Sequence, residues 1–309
     1  MRSSVTFISA LVPWLFLTSP GFAQDNATSS GVAAGVVSLE RALVQVTRRI
    51  EGSVVAIARY RSPTTGPQQP PARSTTLDPD HPDFIPNEYG TGIVVSVPGD
   101  PTRRLVLTCY HVVRGGPVAR PAELPRADGQ RLHVRFASRR GCPARILAAD
   151  PRSDLAVLEL DPAELKQAGI DPQTLPPLEI TARPVPRKGR FVLMLGNPFA
   201  IARDGSASVG WALVSNTHRR AMTLGGGGTA EHSIHRLGTL LQLDTRLKHG
   251  TSGGPVFDLN GRLLALTTST APHDGIETAA GFAIPIDGPI ARIINTLRRG
   301  LEVEYGFLG

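Results

Sequence analysis

Little in this sequence supports a core built on rings or a fold stapled by sulfur. Aromatic residues make up 5% of the 309 positions, so the interior has to be packed from Val, Leu, Ile and Ala. Two cysteines, Cys109 and Cys142, cannot supply the framework of a disulfide-rich miniprotein. They can form one bridge or stand as two buried thiols, and sequence alone does not choose. Blocks of like charge are missing too. The net charge is +7, but the arginines fall in scattered pairs, such as Arg48-Arg49, Arg139-Arg140 and Arg298-Arg299. That scatter, without zinc-finger spacing or an RNA-binding motif, argues against nucleic acid as a partner. Beyond the N-terminus no apolar run is long enough to span a bilayer.

The N-terminus reads as an export signal. Arg2 is followed by a mostly apolar stretch over residues 5–18, and Gly21-Phe22-Ala23 offers small residues for a peptidase cut after Ala23. Residues 1–23 are therefore expected to be a signal peptide, which leaves an exported chain with no stable membrane span after processing. Residues 24–37, small and polar, are expected to be disordered. Ser38 is placed to cap a helix whose Leu39, Leu43, Val46 and Ile50 share one face.

Gly (32) and Pro (27) are plentiful, which suits many short strands joined by turns. Strand signals fall at residues 53–58, 91–97, 105–110, 132–137, 144–149 and 155–160, with residues 62–88 as a long surface loop. Residues 161–177, with several prolines and a short helical stretch, read as a linker. A second set follows at 191–196, 208–215, 240–243, 254–258, 263–268 and 281–284. Ile290, Ile293, Ile294 and Leu297 then mark a last helix over 287–299, with Gly300 to end it. The expectation is an all-β chain with a helix at either end. It comprises two barrel-sized units, residues 38–177 and 178–309.

Three segments carry chemistry. In Gly250-Thr251-Ser252-Gly253-Gly254-Pro255 a serine sits among glycines, which allow a tight exposed turn with converging backbone N–H groups. His111 closes the strand-like run Leu107-Thr108-Cys109-Tyr110, and imidazole is the usual general base because it titrates near working pH. Asp154 heads the apolar strand Leu155-Ala156-Val157-Leu158 and can orient that imidazole, whereas Asp150 fits an ordinary turn aspartate. The chain order His, Asp, Ser is that of the chymotrypsin template.

Taken together these segments resemble the HtrA/Deg family of trypsin-like serine proteases, from about Ser38 to Gly309. The likeness also takes in Gly90-Thr91-Gly92-Ile93-Val94, Gly196-Asn197-Pro198-Phe199, Gln242-Leu243-Asp244 and Gly281-Phe282-Ala283-Ile284-Pro285. It implies two antiparallel six-stranded β-barrels with the site between them. It implies His111, Asp154 and Ser252 as the triad, and the N–H groups of Gly250 and Ser252 as the oxyanion hole. It implies no metal or organic cofactor, unfolded or damaged proteins as substrates, periplasmic or extracellular quality control, and a homotrimer. Residues 245–249 and 264–269 would wall the substrate pocket, with Leu247, Thr267 and Thr268 as its residues. Neither stretch contains an acid, so cleavage is expected after small or medium aliphatic side chains.

The departures are Thr251 for the family's usual Asn, Cys109-Tyr110 before the histidine, and the basic Arg246, Lys248 and His249. HtrA members often continue into PDZ domains. The sequence stops near that point, which implies a member without one or a truncated reading frame. A rival from another class is a protease-like module that holds unfolded chains with little or no cleavage.

Overall fold

The computed structural model describes residues 26–61, 84, 86, 88–114, 130–198, 205–220, 233–268 and 280–306. The expected signal peptide, nearly all of the 62–88 loop and Phe199 lie outside these residues. The chain divides into two units, residues 1–40 and 41–309.

Helix α1 (Asn26–Ile50) starts well before Ser38. Residues 26–37 are thus helical, where the sequence reading expects disorder. Alanines at 27, 33 and 34 carry the highest helix propensity, and each added residue extends an existing helix by one hydrogen bond. Within the second unit the expected face holds: Val46 and Ile50 are buried, and Leu43 packs against the core.

Twelve strands form two closed barrels. The first contains β1 (Val54–Arg61), β2 (Glu88–Val97), β3 (Asp100–Cys109), β4 (Gln130–Arg135), β5 (Gly141–Asp150) and β6 (Leu155–Leu160), in the order β1-β2-β3-β6-β5-β4. The second contains β7 (Phe191–Gly196), β8 (Ser208–Arg219), β9 (Leu240–Leu243), β10 (Pro255–Phe257), β11 (Leu263–Thr268) and β12 (Gly281–Pro285), in the order β10-β11-β12-β9-β8-β7. Every pairing is antiparallel. In each barrel three consecutive strands run as a meander. The fourth neighbour is then the last strand of the set, so both halves share one topology.

Branched aliphatics fill the interiors, as the shortage of rings requires. Among the largest fully buried side chains are Ile57, Ile93, Leu105, Leu107, Leu155 and Leu158, and Phe257 is the aromatic one. Each such burial is worth about 1.5–3 kcal/mol. One apolar cluster runs from the first barrel through Leu193, Leu195, Leu240 and Phe257 of the second, while Val192, Val214, Leu241 and Ala265 belong to a smaller cluster in the second barrel.

The expected linker contains α3 (Pro162–Gln167) and a 3₁₀ turn at Pro172–Thr174, capped by the Asp161 and Asp171 carboxylates. Leu178 then donates its N–H to Val94 at 2.8 Å. Helix α4 (Gly288–Leu297) is capped by Asp287 and packs on β5 and β6 of the first barrel. The Arg298 guanidinium adds a bond from Nε to the Ser96 carbonyl at 2.6 Å. Gly300 then takes φ +75°, the left-handed conformation of a helix stop. Among the described residues no helix is long and apolar enough to cross a membrane.

Candidate active site

His111 sits on α2 (Tyr110–Arg114), a single turn that continues from β3. Asp154 ends the turn between β5 and β6 at φ +55°, a left-handed conformation that aspartate tolerates better than most residues. Two backbone N–H groups join these segments, one to main chain and one to side chain: Tyr110 N–H to the Asp154 carbonyl at 2.9 Å, and His111 N–H to Asp154 Oδ1 at 3.0 Å. The side chains meet as well, with His111 Nδ1 at 2.8 Å from Oδ2 and 3.0 Å from Oδ1. A carboxylate only accepts, so Nδ1 carries the hydrogen and Nε2 is left as the basic nitrogen.

Burial alone would push this pair towards neutrality. Burial disfavours the His111 cation, but the Asp154 charge and hydrogen bond, helped by Glu88, outweigh it and hold His111 above the ordinary imidazole range. Burial likewise opposes the Asp154 anion, yet the His111 charge, its two hydrogen bonds and the Thr268 hydroxyl keep Asp154 below the usual carboxylate range.

The serine turn lies against the first barrel. Ser252 is buried, its carbonyl accepts from Thr91 N at 2.9 Å, and Gly253 N donates to the Thr267 carbonyl at 2.8 Å. Gly253 takes φ +83°, and a methyl there would fall 2.1 Å from the Thr91 carbonyl and 3.2 Å from the Cys109 nitrogen. Only glycine lets the turn approach the end of β3, two residues before His111. Within the turn the N–H groups of Thr251, Gly253 and Gly254 are used at 3.1, 2.8 and 2.9 Å. Those of Gly250 and Ser252 donate to no acceptor among the described residues. Two donors at alternate positions of one turn suit an oxygen that gains negative charge.

Of the expected pocket residues, Leu247 and Thr267 line a cavity of about 230 Å³, together with Met194, Val209, Arg246 and Lys248. Among the described residues no carboxylate lines it. Thr268 is not part of it: its hydroxyl donates to Asp154 Oδ2 at 2.9 Å. Neighbouring residues of a strand face opposite ways, so β11 cannot send both threonines to one side. Asp150 closes β5, and its carboxylate holds the turn that follows, accepting from Arg152 N at 3.3 Å and Ser153 N at 3.1 Å.

Sequence reading missed Thr91 as a functional side chain. Its buried hydroxyl donates to the Gly250 carbonyl and accepts from Asn197 N, both at 2.8 Å, bracketing the serine turn from the other barrel. The short Gly90-Thr91-Gly92 run was the available signal. Cys109 and Cys142 are both buried and not joined in a disulfide, which resolves the open choice in favour of thiols. Cys109 Sγ, His111 and Asp154 offer ligand atoms within 4.8 Å of one another, a spacing a metal could bridge. Burial, reinforced by Asp154, pushes the Cys109 thiol well above its ordinary range.

Paired six-stranded barrels, with a His–Asp pair from one set against a glycine-flanked serine turn from the other, define the chymotrypsin-like architecture. A family model, the trypsin-like peptidase domain, matches residues 90–266, and the chain belongs to that family. Its relatives are HtrA/Deg proteases. The periplasmic pH-dependent serine endoprotease DegQ of Escherichia coli is 24% identical over 318 residues, covering 100% of this chain and 59% of DegQ. The mitochondrial serine protease HTRA2 of Bos taurus is 29% identical over 223 residues, 72% of this chain and 38% of HTRA2. The chain thus spans well under two thirds of these relatives' length. Among solved structures, Deg5 superposes with a TM-score of 0.55 at 20% identity, over 85% of this chain and 97% of Deg5. The HtrA-type protease AlgW with a tripeptide gives 0.55 at 20% identity, over 83% of this chain and 63% of AlgW.

Proposed function

We propose that the chain is a serine endopeptidase that cuts unfolded or damaged proteins in the cell envelope. The observation that carries this reading is the His111–Asp154 pair, bonded at 2.8 Å, beside a serine turn with two uncommitted N–H groups. Ser252 Oγ attacks the scissile carbonyl, and its proton passes to His111 Nε2. Asp154 holds the tautomer and stabilises the imidazolium. The N–H groups of Gly250 and Ser252 receive the oxyanion. His111 then protonates the leaving amine, an acyl-enzyme remains, and water enters by the same route in reverse. Export by a signal peptide over residues 1–23 fits relatives named as periplasmic, although HTRA2 is mitochondrial. A trimeric assembly belongs to the same proposal.

The test is digestion of unfolded casein by the purified mature chain and by Ser252→Ala, with fluorophosphonate labelling of both. The variant should lose about 10⁴-fold or more in turnover and take no label. A wild-type chain that binds casein but neither cuts it nor labels would favour the holding module instead.

A further inference from the structure

The turn that presents Asp154 is held from the second barrel. Residues 233–239, just before β9, reach across to the carbonyls of Arg152 and Ser153. Ile234 N and Ser233 Oγ donate to the Arg152 carbonyl at 3.0 and 3.1 Å. His235 Nε2 lies 2.9 Å from the Ser153 carbonyl, and its ring is completely buried. A carbonyl only accepts, so Nε2 carries the hydrogen, and Nδ1 accepts from the Thr239 hydroxyl at 2.7 Å. Both ring nitrogens are satisfied in the neutral form. Burial keeps His235 below the ordinary imidazole range against the opposing pull of the Ser153 carbonyl, Asp154 and Asp150, the acids that face it.

Ser153 is the residue immediately before Asp154, which stands at φ +55°. Such a conformation persists only where its surroundings over-determine it. The carboxyl of Asp154 must meet His111 on one side and Thr268 on the other, at 2.8 and 2.9 Å. A peptide free to rotate one residue earlier would let that carboxyl swing.

We propose that His235 is a positioning residue for the triad: it pins the Ser153 carbonyl from the second barrel, so that the aim of Asp154 at His111 depends on how residues 233–239 are seated. This rests on the serine peptidase reading. His235 touches neither substrate nor the reacting atoms and acts through Asp154.

The experiment compares wild type, His235→Ala, His235→Gln and Thr239→Val. Turnover is read on a casein-derived peptide, and His111 is titrated by proton NMR in the Ser252→Ala background. A misaimed carboxylate costs rate more than binding. His235→Ala should therefore lower kcat about 10- to 100-fold with KM little changed, and should move the His111 midpoint down as the Asp154 interaction weakens. His235→Gln restores a donor near the Nε2 position and should recover most of both. If His235→Ala does not fold, Thr239→Val, which frees the ring without removing it, should shift the same two readings the same way but less.

A folded His235→Ala with wild-type kcat and His111 midpoint overturns the proposal. So does a loss of rate that follows only the unfolded fraction while the midpoint stays put. The NMR titration needs no turnover, so an inactive wild type would refute the peptidase reading while that titration still decides for or against the pin.

Discussion

Gly250→Ala isolates what the serine turn asks of its backbone. Gly250 stands at φ +94°, and a methyl there would lie 2.4 Å from the Asn197 carbonyl oxygen and 2.6 Å from Cδ2 of the Tyr89 ring. The Asn197 backbone cannot yield, because its N–H is fixed to Thr91 Oγ1 at 2.8 Å. The turn must therefore rotate and carry the Gly250 N–H away from its present direction. Loss of one such donor costs about 10²- to 10³-fold in kcat. The backbone conformation adds about 1–2 kcal/mol of destabilisation for an L-residue. Gly189→Ala is the matched control, since Gly189 takes φ +81° with nothing within 4 Å of the added carbon. It should lose about 1 kcal/mol of stability and keep its turnover. Steady-state kinetics on a casein-derived peptide, with thermal unfolding of both variants, separates the two effects. A folded Gly250→Ala enzyme with wild-type kcat would refute the assignment of Gly250 as an oxyanion donor.

Three further outcomes are expected. Activity should rise with pH through a midpoint above the ordinary imidazole value of about 6.5, because Asp154 stabilises the protonated form that cannot act as base. Asp154→Asn should move that midpoint down and cut kcat about 10⁴-fold, and a pH–rate profile centred below the ordinary value in the wild type would contradict the pairing. Mass spectrometry of casein fragments should find cuts after Val, Ala, Ile or Leu, since the cavity's described lining offers Met194 and Leu247 and no carboxylate; a predominance of Lys and Arg would contradict that. Dithiothreitol should leave melting temperature and activity unchanged, because Cys109 and Cys142 are separate thiols; a fall in either would reveal a bridge.

Four apolar runs, each with Gly or Asp within the two residues before it, are legible as strands to the residue. Residues 155–160, 191–196, 240–243 and 263–268 were read with the limits they have as β6, β7, β9 and β11. Strands whose ends are polar were read short. β3 starts at Asp100 and β8 runs to Arg219, because hairpin neighbours recruit residues whose own pattern says loop. The candidate triad was legible because nucleophile, base and orienting acid each sit in a recognisable local string. Thr268 follows Thr267 in one strand, so the two-residue period turns it away from the cavity and onto Asp154. His235 left no trace in the sequence, since its role exists only where two carbonyls of the other barrel come within 3.0 Å of residues 234 and 235.

Closure of both sheets has a colloidal consequence. β1 finds its last partner in β4, and β7 in β10, so neither set of described strands ends in an open row of N–H and C=O groups. An open edge invites pairing with any extended chain, whether another copy or a misfolded client, and is a common start of domain swapping and fibrils. If the chain cuts unfolded polypeptide, as proposed above, it gains from having no such template among its described strands. Among the described strands neither sheet offers a free border to an incoming chain, and concentrated preparations should resist strand-mediated aggregation for that reason.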